Sequence, residues 1–164
     1  MSNFDFLLAE WPLLHESATK AEVTAHADAR ASCFYARRTL EMAVAWLYKH
    51  DRGLRLPYQD NLSALIHEPT FARVVGHAVF TKTKVIKELG NQAVHSTRKV
   101  LPSDALVATR ELFHICYWLA RTYGQRGRPD SGLAFNPAPL ARPAAAEPAV
   151  PAQTLDQLQK LQAQ

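Results

Sequence analysis

At 164 residues and 48% hydrophobic content, the chain is long enough for one domain with a real core, because a chain of this size buries roughly 70% of its unfolded surface. Its 19 Lys+Arg against 15 Asp+Glu give a formal charge of +4, which suits weak attraction to polyanions and specifies none. With only Cys33 and Cys116, no Cys-x-x-Cys and no long apolar run, a disulfide scaffold, a Cys-rich zinc module and a membrane span are excluded.

The N-terminus MSNFDFLLAEWPLLHE mixes acidic with apolar residues and lacks a basic n-region, so it does not read as a signal peptide and the expected location is cytoplasmic. Residues 4–27 read as a helix, or a helix pair interrupted near Trp11-Pro12, since proline disfavours helix in the residue before it. Asp28 is the expected N-cap of the next helix, in which Cys33, Ala36, Leu40, Val44 and Leu47 form one stripe at spacings of three and four. GLRLPYQD is a loop. Asn61 caps a short helix through Ile66, and Pro69 opens another that carries Phe71, Val74, Val75, Val79 and Phe80 towards Val85, Ile86 and Leu89, with a break possible at Gly76. Pro102-Ser103-Asp104 starts the last long helix, with Ser103 as cap and Asp104 placed against the positive helix end. Its LFHICYWLA stretch is apolar almost all round, the mark of a central helix. The expectation is an all-α bundle of about five helices.

Composition changes near Pro129. Six of the ten prolines fall from there on, with the stretch PLARPAAAEPAVPA, so residues 129–153 read as an extended Pro/Ala-rich linker. The folded domain is expected over residues 1–128, with 17 basic against 12 acidic residues and all seven histidines. Over residues 154–164, Thr154-Leu155-Asp156-Gln157 has the form of a capping box, followed by Leu158 and Leu161 at helical spacing. A helix this short is marginal alone, so its early stop reads as a truncation.

No phosphate-binding loop, no Gly-x-Gly-x-x-Gly, no His-Glu-x-x-His and no Gly-x-Ser-x-Gly is present. The histidines at 15, 26, 50, 67, 77, 95 and 114 offer no helical metal spacing, so no metal site is expected. The most informative stretch is KVIKELGNQAVH, residues 84–95. Glycine is costly inside a helix, and Asn91 and His95 fall one turn apart on one face. Turned inward, they would form a buried polar pocket, either a hydrogen-bonded network joining helices or a nuclease site. On the helix after Asp28, Arg37 and Glu41 are four apart and Arg38 projects about 100° away. They form either a solvated ion pair or, with Asn91 and His95, one buried polar cluster. Lys82, Lys84, Lys87, Arg98 and Lys99 surround the same stretch and form either a phosphate-binding patch or a solvated face.

ASCFYARRTLEMAVAWLY, LRLPYQDNLSALIHEP, IKELGNQAVHS and DALVATRELFHICYWLARTY occur in that order. Together they resemble the helical N-terminal domain of the R subunits of bacterial type I restriction enzymes, over essentially residues 1–124. The resemblance implies a restriction-modification system, an antiviral defence. In that family the domain precedes a linker, a nuclease domain and an ATP- and Mg-dependent double-stranded DNA translocase. Its partners would be those downstream domains, the modification and specificity subunits, and duplex DNA, with no membrane. The domain is more distantly similar to HEPN-type domains, whose active members carry an Arg followed four to six residues later by His as a metal-independent ribonuclease site. His95 matches that histidine and Asn91 the polar residue after the arginine, whereas Gly90 stands where the arginine would be. RNA cleavage needs a fixed cation against the developing phosphorane charge. The expectation is therefore a non-catalytic docking or regulatory module with no cofactor of its own. The alternatives are a HEPN-like ribonuclease using His95 with Arg37 or Arg38, and a basic module on the DNA backbone.

Overall fold

Polar residues at the helix starts set much of the architecture. The computed structural model describes residues 1–126 and 128–140, and all regular structure in them is helical. After a single 3-10 turn at Asp5–Leu7, α1 (Pro12–Thr24) begins with Pro12 in its first turn, where a missing amide costs nothing. α2 (Ala29–His50) starts at Asp28, whose carboxylate accepts a hydrogen bond from the Ala31 amide at 3.0 Å. Asn61 caps α3 (Leu62–His67) through the Ala64 amide at 2.9 Å, and α4 (Pro69–Val75) follows directly. Gly76, with φ of +84°, ends α4 and turns the chain into α5 (His77–His95). That backbone conformation is one side chains rarely adopt, so the break falls at the glycine, and the described residues hold six α-helices.

α6 (Pro102–Tyr123) starts two residues earlier than its sequence suggests. Leu101 occupies the cap position, Ser103 lies inside the first turn, and the Asp104 carboxylate closes the turn by accepting from the Leu101 amide at 2.9 Å. Asp104 therefore does more than offset the helix dipole.

The stripe expected on α2 is the core: Cys33, Ala36, Leu40, Val44 and Leu47 are all at most 2% exposed. α2 packs against α1, α3, α5 and α6, which makes it the hub. α6 was expected to be central. It instead packs on α1, α2 and α5 and leaves His114, Tyr117 and Trp118 half-exposed, because its apolar girdle faces solvent on one side. Both cysteines are buried free thiols, and burial pushes Cys33 up to about 11 and Cys116 up to about 12.

The first dozen residues of the expected linker belong to the bundle. Tyr117 and Arg121 of α6 donate to the carbonyls of Asp130 and Pro129, each at 3.0 Å. Asn3 and Asn136 exchange two hydrogen bonds at 2.8 and 2.7 Å. Phe135 packs on Phe113, and Leu140 is buried. A proline-rich segment lacks donors but keeps its carbonyls, and donors from elsewhere in the fold satisfy them here. The boundary expected at residue 128 is thus not a boundary of packing. The rest of that linker and the helix expected from Thr154 lie outside the described residues.

Candidate functional site at the crossing of two helices

α5 turns Val79, Thr83, Ile86, Gly90 and Ala93 inward, a stripe at spacings of four and three. Gly90 is where α5 meets α2. A Cβ placed there would lie 2.6 Å from Cβ and 2.7 Å from Cδ of Arg37, so only a residue with no side chain permits this approach. The methylene stem of Arg37 covers Gly90, and its guanidinium Nε reaches 3.4 Å from Glu41 Oε1. That Nε is buried and makes no hydrogen bond, so the contact with Glu41 is an ion pair only. A groove of about 260 Å3 opens beside the pair, edged by Asp60 and Asn61 from the loop before α3.

The expected buried cluster of Arg37, Arg38, Glu41, Asn91 and His95 does not form. Gly90 faces α2, and Asn91 and His95 lie about 100° and 140° further round the helix. Asn91 is accordingly half-buried and His95 exposed at the end of α5. Arg38 and Glu41 are both exposed. The structure brings Arg37 to Glu41 and to Gly90 and leaves His95 apart. His95→Ala is therefore expected to change unfolding free energy by no more than about 0.5 kcal/mol, as for other surface substitutions. A loss of several kcal/mol in urea denaturation would restore the buried role.

The basic residues near α5 do not form one face. Lys82 turns to α6, where its Nζ lies 2.6 Å from Glu111 Oε2. Lys84 lies over the Phe80 ring at 4.7 Å, and with half-buried Lys87 it edges a groove of about 540 Å3 between α5 and α6. Arg98 and Lys99 are exposed in the loop after α5.

Glu111 is the centre of an ion-pair group the sequence did not reveal. Its side chain is 12% exposed and receives Lys82, Arg110 at 3.3 Å and His114 at 3.6 Å. Burial raises its carboxyl, but the Lys82 hydrogen bond and charge, joined by Arg110, outweigh that and hold it below its ordinary value. Burial lowers the His114 imidazole, and the Lys82 charge adds to this against the pull of Glu111. Both shifts mean that the folded chain binds fewer protons than the unfolded one. Their contributions are complete above the ordinary values and are lost on acidification, His114 first, below about 6.5, then Glu111 in the carboxylate range. The melting temperature should fall between pH 7 and 5, and His114→Gln should flatten that part of the profile. An unchanged slope in the variant would rule out His114 as the cause.

Arg30 was missed entirely. Its guanidinium donates to the carbonyls of Gln92, Ala93 and Ser96 at 3.3, 2.5 and 3.0 Å and to that of Arg98 at 2.6 Å. It thereby caps the C-terminal end of α5 from the first turn of α2. A cation at the positive end of its own helix is unfavourable, and that anomaly was the available signal.

Among the described residues no group of three or more His, Cys, Asp or Glu is arranged to hold a metal ion, and no helix is long and apolar enough to cross a membrane. The fold and the crossing define an all-α bundle closed by a glycine contact between α2 and α5. Residues 19–159 match the family described as a domain of unknown function, DUF4145, and since this is most of the chain, the protein belongs to that family. No curated protein and no solved structure matches it.

Proposed function

We propose that this chain is a non-catalytic docking or regulatory module of the R subunit of a bacterial type I restriction enzyme. The observation that carries the non-catalytic part is the contact of Gly90 with Arg37. The position where an active HEPN-type site holds its arginine is here a point of helix contact with no room for a side chain. His95, which matches the histidine of that site, is exposed at the end of α5, and Asn91, which matches its polar residue, is half-buried. The restriction-enzyme part rests on the four resembling segments, which fall in order on α2, the loop with α3, α5 and α6.

On this reading the parent subunit couples ATP- and Mg-dependent translocation to cleavage of duplex DNA. The module holds the downstream nuclease and translocase domains, or the modification and specificity subunits, in place within a cytoplasmic complex. The purified chain should bind a reconstituted modification-specificity complex or the rest of the R subunit, and should neither hydrolyse ATP nor cut duplex DNA. The ribonuclease alternative is tested on labelled RNA with wild type and His95→Ala in parallel. Cleavage by the wild type that is lost in the variant would replace the proposal. Salt-sensitive binding to duplex DNA, lost on substituting Arg98 and Lys99, would favour the DNA-backbone alternative.

A further inference from the structure

Between residues 31 and 48, the exposed residues of α2 are Phe34, Arg38, Glu41 and Ala45. Their spacings of four, three and four hold them within about 60° of one another around the helix, over about three turns. This stripe runs between two grooves. One, of about 150 Å3, is shared by Arg38 and Met42 with Leu13 of α1. The other is the groove beside Arg37 and Glu41. Phe34 is 44% exposed and Leu13 67%, so apolar surface lies both on the stripe and at its rim.

The stripe is complementary to itself. If α2 packs antiparallel on a second α2 about a two-fold axis between positions 39 and 40, Phe34 faces Ala45 of the second copy. Arg38 then faces Glu41 of that copy. Each match occurs twice, a large side chain against a small one and a cation against an anion. Among the described residues Arg38 forms no ion pair. Glu41 is held by Arg37 through one oxygen only, at 3.4 Å. The next match in this register, Arg30 with Lys49, joins like charges. It lies at the far ends, and the Arg30 guanidinium is already turned onto the end of α5.

We propose that this face of α2 is an interface for a second copy of the chain, forming an isologous two-fold dimer through the matches of Phe34 with Ala45 and Arg38 with Glu41. The dimer does not rest on the proposed restriction-enzyme role.

Sedimentation equilibrium of the whole chain, over low to high micromolar concentrations, tests it. The wild type should fit a monomer–dimer equilibrium. Arg38→Glu and Glu41→Arg each replace two opposite-charge matches with two like-charge ones, and each should weaken self-association by at least about tenfold. Mixing these two variants is the decisive arm. Each alone repels itself, yet the mixed pair has opposite charges at both matches and should regain dimer close to the wild-type level. Circular dichroism of both variants confirms that their helices are intact. A wild type that stays monomeric at high micromolar concentration, variants that dimerise as the wild type does, or a mixture that stays monomeric would each overturn the proposal.

Discussion

Gly90→Ala should destabilise the protein although alanine is the better helix former. In an exposed helix the exchange gains about 1 kcal/mol. Here the new methyl would lie 2.6 Å from Arg37 Cβ. The outer stem of Arg37 could swing aside, but its Cβ is fixed to the α2 backbone, so relief requires the two helices to part. Overpacking costs about 1–3 kcal/mol, and because the obstructing atom is fixed to the backbone, the upper part of that range, about 2–3 kcal/mol, applies. After the propensity gain the expected net loss is about 1–2 kcal/mol, read as a lower urea midpoint at unchanged slope. Gly90→Arg should lose more, because a whole side chain must leave the crossing. A double-variant cycle isolates the cause: with Arg37→Gly in place, Gly90→Ala should become neutral or stabilising, since only the propensity gain remains. A Gly90→Ala protein as stable as wild type would show that the helices do not meet there.

Arg30→Ala should cost about 2–4 kcal/mol. Each hydrogen bond to a charged group contributes about 1.5–3 kcal/mol, and a cation at a helix C-terminus adds about 0.3–1 kcal/mol. The sum is discounted because water reaches the freed carbonyls near the surface. The effect is also local: amide exchange over residues 92–101 should accelerate more than in α6. Arg30→Lys should recover only part of the loss, because an ammonium cannot spread donors over four carbonyls as the guanidinium does. Uniform exchange across the bundle in Arg30→Ala would remove the capping role.

Most of the fold was legible because its signals act within one helical turn. Asp28 and Asn61 cap the helices they precede, Pro12 and Pro69 stand in first turns, and Gly76 breaks α4 from α5. The α2 stripe from Cys33 to Leu47 is buried as its spacing requires. The site was less legible. Asn91 and His95 do share a face, as their spacing dictates, but whether that face turns inward depends on where α2 crosses. The crossing falls on Gly90. Arg30 and Glu111 find their partners on other helices, and no local spacing encodes such pairs. The segment from Pro129 to Leu140 has the composition of a linker, yet donors on α6 and Asn3 hold it to the bundle.

The sequence by itself therefore determined the helical class, the places where helices start and stop, and the stripe that would be core. These follow from backbone propensity, capping and periodicity, which are short-range. Only the tertiary structure decided which polar residues meet. Helix packing is set by contacts between residues far apart in the chain, and the crossing of α2 falls on the face of α5 that carries Gly90, about 140° from His95, which is left exposed.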